Sequence, residues 1–287
     1  MIKNYLVLLK LRVVELLVIT TIPAMFLAAK GFPNLKIALA TVIGGTLAAG
    51  SANAFNMAIE VDRDLLMKRT STRPTAQKII SKKNAFIFAL IVGILSLAII
   101  FIFTNLLATS LTLFAILFYV VGYTLLLKPR TSQNIVWGGI AGCMPVLIGW
   151  AAITNKLDVT AIWFFLVIFF WTPPHFWALA IKHKSDYEAA DFPMLPVVAK
   201  PKSIVLQLWL HSLGMTLSAL ALIFNAKLPL WCLALTLILI ILWKRDLLKV
   251  SKELDTAMAG KLFQSSIVFL SIYSLILVVG AVQISNG

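Results

Sequence analysis

An all-α bundle of membrane-spanning helices is the fold class that this sequence predicts, and three observations carry it. Hydrophobic residues make up 61% of the 287 and charged residues only 13%, a balance outside that of soluble domains. Apolar runs long enough to cross a bilayer recur from one end to the other. Lys and Arg gather in alternate connecting segments. With the N-terminus inside, 21 of the 25 lie on the cytoplasmic side, and only Lys30, Lys36, Lys156 and Lys227 lie opposite. That asymmetry sets orientation. The expectation is a polytopic membrane protein: nine transmembrane helices bundled around a central cavity, one domain over 1–287, N-terminus cytoplasmic and C-terminus outside.

The first span covers about Tyr5 to Ala29. Lys10 and Arg12 interrupt it, so either it starts near Val13 or a cationic end dips into the protein. Glu15 is either a functional group at depth or the partner of Arg12 at i, i+3. The second span, about Leu35 to Asn56, carries Gly44, Gly45 and Gly50 for close packing. Residues 84–127 hold no charged side chain. As one helix they would run about 66 Å, twice a bilayer core, so two spans hinged near Thr104-Asn105 are expected. A fifth span runs about Ile135 to Ile153, and a sixth about Val159 to Ile181. Pro173 and Pro174 should break the hydrogen-bond ladder of the sixth, leaving carbonyls that must face protein or a cavity. The last three spans are about Ile204–Phe224, Leu230–Trp243 and Ser265–Val282. An acidic cluster follows spans two and six, and a basic loop follows spans four and eight. This hints at a repeated four-helix unit, spans 1–4 and 5–8, plus span nine.

A net charge of +14 would suggest nucleic acid in a soluble protein. Here it reports cytoplasmic loops and anionic headgroups. Cys143 and Cys232 lie in separate apolar runs, as packing residues rather than metal ligands or a disulfide. The N-terminus lacks a cleavable signal or transit pattern, which favours a bacterial or archaeal cytoplasmic membrane.

The chemistry concentrates between Ser51 and Pro74. Asn56, Glu60 and Asp64 fall at i, i+4 and i+8, on one face of a helix. Asn53 is close to that face, and Asp62 points elsewhere. Like charges so placed repel, and a cation should offset the repulsion. Oxygen donors in a row suit a hard ion such as Mg²⁺, which takes one or two carboxylates with waters and substrate phosphates. Neighbouring Lys and Arg would hold the remaining phosphate oxygens. The plainer reading of those cations is a loop that anchors a helix end.

Asn56-x-x-x-Glu60-x-x-x-Asp64 resembles the first aspartate-rich motif of the intramembrane aromatic prenyltransferases, with Glu60 where Asp is usual. Four further stretches narrow the resemblance. They are Arg69-Thr70-x-x-Arg73-Pro74, Tyr123 to Asn134 with Lys128 and Arg130, Trp171-Thr-Pro-Pro-His175-Phe-Trp177, and Asp186-Tyr187 through Pro193-Met194-Leu195-Pro196. In order, over about Lys10 to Val198, they are similar to the protoheme IX farnesyltransferases, or heme O synthases, a branch of that family. Leu11 stands where the branch has proline, and Asp191 lies off the helical face of Asp186.

The resemblance implies transfer of farnesyl from farnesyl diphosphate to a vinyl group of protoheme IX, with water addition and diphosphate release. It implies Asn56, Glu60 and Asp64 on one Mg²⁺ and Asp186 on a second, these four being the catalytic set. Arg69, Arg73, Lys128, Arg130 and Lys182 would bind diphosphate. His175 either caps carbonyls freed by the prolines or contacts haem as an iron ligand. His211 is a weaker candidate, and His183 reads as a loop residue. The bilayer holds the lipid tail, no nucleic acid is involved, and a downstream haem-modifying enzyme or oxidase assembly protein would receive the product. Three rival readings stand at this point: a prenyltransferase acting on another ring, such as a quinone precursor, a membrane transporter, and a structural respiratory assembly factor, which would have no need for two acidic clusters.

Overall fold

The computed structural model describes residues 1–285, leaving aside the side chains of Arg12, Val13 and Ser285. The expected Arg12–Glu15 pair therefore lies outside the described residues; Glu15 itself is exposed. Every regular element among the described residues is a helix.

The chain opens with α1 (Ile2–Leu8) and α2 (Leu11–Ala29). Between them Lys10 takes a left-handed backbone, φ 49° and ψ 50°, which ends one helix and starts the next. The cationic break is thus real: Lys10 is the residue before α2, not part of a span. Next come α3 (Leu35–Ile59) and the short α4 (Val61–Leu66). Asn34 caps α3 by accepting from Lys36 N and Ile37 N at 3.0 and 3.2 Å.

The uncharged stretch folds as two helices, as its length requires. These are α5 (Lys82–Phe103) and α6 (Leu106–Leu117), with the hinge at Thr104-Asn105. Asn105 Oδ1 caps α6 at Ala108 N, 2.9 Å, and its Nδ2 donates to Ala151 O at 2.7 Å, tying the hinge to the next helix. From Phe118 to Leu127 the same rod continues as a π-helix. Ten residues is long for this form, which mostly occurs as single turns.

The second half contains α7 (Asn134–Thr154), α8 (Val159–Lys182), α9 (Lys184–Ala189), α10 (Leu195–Val198), α11 (Pro201–Asn225), α12 (Leu230–Glu253) and α13 (Thr256–Ser285). Pro173 and Pro174 take two N–H donors out of the ladder, as expected, yet the helix itself is not interrupted: α8 runs through both prolines. Proline removes N–H donors but keeps a helical φ. Here α7, α11 and α13 enclose the helix, and Thr172 Oγ1 donates to Ile168 O at 2.7 Å.

Seven helices are long and apolar enough to cross a membrane: Leu35–Ile59, Lys82–Phe103, Leu106–Leu127, Asn134–Thr154, Val159–Lys182, Pro201–Asn225 and Thr256–Ile284. Of the other two expected spans, α2 offers the shorter apolar helix Val14–Ala29. In α12 the charged run Lys244-Arg245-Asp246 is carried inside the helix. Leu35, Leu39 and Ile43 of α3 and Phe86, Leu90 and Ile94 of α5 point outward and are exposed, the kind of apolar surface that a bilayer covers.

Small residues bring α3 and α5 together. Ser51 Oγ donates to Ala89 O and Ser96 Oγ to Gly44 O, both at 2.7 Å. A Cβ on Gly44 would sit 2.5 Å from Ile100 Cγ1, so only glycine allows this approach. The largest apolar core joins α7, α8, α11, α12 and α13, and a smaller one lies where α1, α3 and α5 meet. A cavity lies between them.

Candidate active site

The cavity holds about 370 Å³, and its walls come from α2, α3, the α6/π-helix rod, α7 and α8. One end is charged. The start of α2, the end of α3 and the end of the π-helix all meet there, bringing Lys10, Asn56 and Lys128 to one mouth. Glu60, Asp64, Arg69 and Arg73 complete its lining. The rest is apolar or small, with Ala48, Ala52, Gly45, Gly142, Pro145 and Ile148 among the wall residues.

The row of oxygen donors survives a helix break. Glu60 closes α3 with φ −91° and ψ 14°, yet Glu60 N still bonds Asn56 O at 3.0 Å and Asp64 N bonds Glu60 O at 2.8 Å. Four-residue spacing is thereby kept, and all three side chains are buried: Asn56 2%, Glu60 6% and Asp64 2% exposed. Asp62, expected to point elsewhere, is exposed. Asn53 is drawn to the first helix break, donating to Leu9 O at 3.2 Å.

Each donor has its own cation, and each cation comes from a different segment. Lys10 Nζ donates to Asn56 Oδ1 at 3.0 Å. Lys128 Nζ donates to both Glu60 oxygens, at 2.5 and 2.6 Å. Arg73 Nη1 donates to both Asp64 oxygens, at 2.7 and 2.8 Å. Burial pulls the Lys10 ammonium down to about 7, with Arg73 pushing the same way and Glu60 opposing. Burial also lowers Lys128, against the pull of Glu60. Both ammonium groups would regain solvation from an added anion.

The π-helix sets the position of Lys128. In an α-helix, at 3.6 residues per turn, Lys128 would point about 180° away from Tyr119. Bonding i to i+5 widens the turn and brings Tyr119, Tyr123, Thr124 and Lys128 to one side. Tyr119, Tyr123 and Lys128 line the cavity, and Thr124 Oγ1 accepts from Asn56 Nδ2 at 3.3 Å. The Lys128 ammonium also lies 4.4 Å from the centre of the buried Phe192 ring, a cation–π contact.

The other expected residues are placed less centrally. Asp186 is 7% exposed, and its Oδ2 accepts from Arg69 N at 3.2 Å. It stands behind Arg69 rather than in the cavity wall. Arg130 turns back on its own rod, donating to Leu125 O and Leu126 O at 2.5 and 3.1 Å. Lys182 lies against Gly260. Neither Arg130 nor Lys182 lines the cavity. His175 does, and its Nδ1 meets Ser266 Oγ at 2.6 Å, not a carbonyl freed by proline. His211 packs on Phe170 and Trp177 outside the lining. Asp191 is exposed, with φ 51°.

Four cations therefore face two carboxylates at the mouth. This excess of basic side chains over carboxylates favours an anion at the mouth. Among the described residues no three His, Cys, Asp or Glu gather to hold a metal alone. The all-oxygen set of Asn56, Glu60 and Asp64 nevertheless fits a hard divalent ion that arrives with phosphate oxygens and waters.

The sequence profile of the UbiA prenyltransferase family matches residues 17–285. The chain belongs to the UbiA prenyltransferase family. Among UbiA-family relatives, the protoheme IX farnesyltransferase of Kineococcus radiotolerans is 53% identical over 219 residues, which cover 76% of this chain and 65% of that protein. The shared part thus spans just under two thirds of that relative. The protoheme IX farnesyltransferase of Leifsonia xyli is 49% identical over 237 residues, 83% of this chain and 77% of that protein. Solved structures share the fold. A structure described as digeranylgeranylglyceryl phosphate synthase superposes with a TM-score of 0.79 at 19% identity, over 98% of this chain and 99% of the other. A UbiA homolog from Archaeoglobus fulgidus bound to GPP and Mg²⁺ gives 0.69 at 16% identity, over 96% and 99%.

Proposed function

We propose that this enzyme transfers the farnesyl group of farnesyl diphosphate to a vinyl group of protoheme IX, adds water and releases diphosphate. The observation that carries the reading is a cation-rich, oxygen-lined mouth on an apolar cavity, in a chain about half identical to proteins named for that reaction. Lys10, Arg69, Arg73 and Lys128 hold the diphosphate oxygens. Arg130 and Lys182, which do not line the cavity, are left out of that set. Asn56, Glu60 and Asp64 would hold Mg²⁺. Asp186 offers one carboxylate for a second ion and fixes the backbone of Arg69. When bound, the metal supplies neutralisation of the charge that develops on the departing diphosphate.

The C1–O bond of the lipid breaks with its electrons going to diphosphate. The terminal vinyl carbon then bonds to C1. Water captures the cation left beside the pyrrole ring and loses a proton, giving a hydroxyethylfarnesyl side chain. Tyr119 and Tyr123 present aromatic rings beside the mouth, where they shield the allylic cation. The nine long helices all cross a cytoplasmic membrane, with the N-terminus and the charged mouth inside. The lipid tail enters the apolar wall from the bilayer.

Mass spectrometry of haem extracted from a host lacking its own heme O synthase tests the reading. The expected product is haem carrying farnesyl plus water. An unchanged haem pool, or a prenylated quinone precursor in its place, overturns it.

The wall makes a further prediction. A Cβ added at Gly45 or Gly142 meets nothing within 4 Å, and Gly45 lies about 16 Å along α3 from Asn56. Gly142→Leu should therefore fold normally and fill space the substrates need. Thermal unfolding is expected to stay near wild type while turnover falls at least tenfold. Full turnover would mean that neither substrate reaches that wall.

A further inference from the structure

The environment of His175 fixes more than its location. The residue is 3% exposed. Its ring is stacked on both faces, against Trp171 with centroids 4.2 Å apart and against Phe263 at 4.5 Å, at interplanar angles of 19° and 25°. Only the ring edges remain available, and one carries a hydrogen bond whose direction can be deduced.

Ser266, on α13 and 0% exposed, places Oγ 2.6 Å from His175 Nδ1 and 2.5 Å from the carbonyl oxygen of Phe263. A hydroxyl has one proton to give, and a carbonyl oxygen has none. The proton therefore goes to Phe263 O. Ser266 Oγ then accepts, and His175 Nδ1 donates. In the neutral ring this leaves the lone pair on Nε2. Nε2 makes no hydrogen bond among the described residues, while the ring lines the cavity. Trp171 Nε1 donates to Ser266 O at 3.0 Å, so the stacking partner also holds the hydrogen-bond partner. An imidazole with Nδ1–H bound to an acceptor and a bare Nε2 is how proteins prepare a histidine for metal.

We propose that His175 Nε2 is the ligand to the iron of a metalloporphyrin in this cavity, and that Ser266 is the positioning residue that selects the tautomer and aims the ring. The proposal rests on the reading of haem as acceptor. His175 grips the substrate's iron and takes no part in bond breaking at the mouth.

The test uses the full-length protein in nanodiscs, titrated with ferrous haem and, separately, with iron-free protoporphyrin IX. Wild type should bind haem with a histidine-ligated spectrum and with higher affinity than the iron-free ring. In His175→Ala that spectrum should vanish, the two affinities should converge, and added imidazole should restore ligation. Ser266→Ala should weaken haem binding about tenfold, the scale of an outer-shell partner. It should also shift the iron–histidine stretching band in resonance Raman, with protoporphyrin binding unchanged.

A wild-type haem spectrum in His175→Ala overturns the ligation. An unshifted band in Ser266→Ala, or equal loss of both ligands, overturns the positioning role. Product assays on the same samples separate the two levels. Prenylated haem from a protein whose bound haem shows no histidine ligation overturns this inference alone. Absence of both haem binding and product in wild type brings down the acceptor assignment beneath it.

Discussion

Lys128→Met alone should cost about 3–5 kcal/mol of stability, the scale for removing one partner of a buried ion pair, and should abolish measurable turnover. Glu60 is 6% exposed and both of its oxygens are bonded to Lys128 Nζ. Methionine keeps the stem but loses the ammonium that lies over Phe192, and it leaves the Glu60 carboxylate without its direct partner. Adding Glu60→Gln removes that stranded charge, so the double variant should recover most of the unfolding temperature lost by Lys128→Met. Turnover should stay absent, because the diphosphate contact and the donor oxygen are both gone. Denaturation in detergent, run beside a diphosphate-release assay, reads both. A double variant no more stable than Lys128→Met would show that the pair does not organise this end of the bundle.

Asp64→Asn should lower turnover by about 10²–10³-fold, the range for removing one group that stabilises charge in the transition state. The amide retains one oxygen that accepts from Arg73, whose side chain is 17% exposed, so the loss of stability should be smaller than that of Lys128→Met. What is lost is the negative charge. The concentration of Mg²⁺ giving half-maximal rate should therefore rise together with the fall in turnover. Asp62→Asn, two residues away and exposed, should change neither quantity. Wild-type turnover from Asp64→Asn at low Mg²⁺ would remove the aspartate from the site.

Much of this arrangement is legible in the chain because it depends on short-range spacing. Four-residue intervals put Asn56, Glu60 and Asp64 together, and the backbone bonds across the helix break keep them so. The hinge at Thr104-Asn105 follows from an apolar run too long for one crossing. The π-helix was not legible. Phe118–Leu127 is almost uniformly apolar, so no change of period marks the change in winding. Tyr119 was hidden with it, and Lys128 was reached through the resemblance rather than through any periodicity of the helix that carries it. Loop cations also look alike in sequence. Tertiary contacts decide that Arg73 turns into the cavity while Arg130 folds onto the carbonyls of Leu125 and Leu126. Lys10 read as an interruption of a span. Its left-handed backbone makes it the residue that precedes α2 instead, with its ammonium on Asn56.

The wide winding before Lys128 also makes this segment sensitive to length more than to composition. Outward residues such as Leu125 and Leu126 are interchangeable with other greasy side chains. One codon fewer between Tyr119 and Lys128, by contrast, would shift the ammonium around the rod toward lipid and strand Glu60 without its neighbour. In this stretch heredity must conserve a number of residues, whereas along the row of oxygen donors it must conserve their kind.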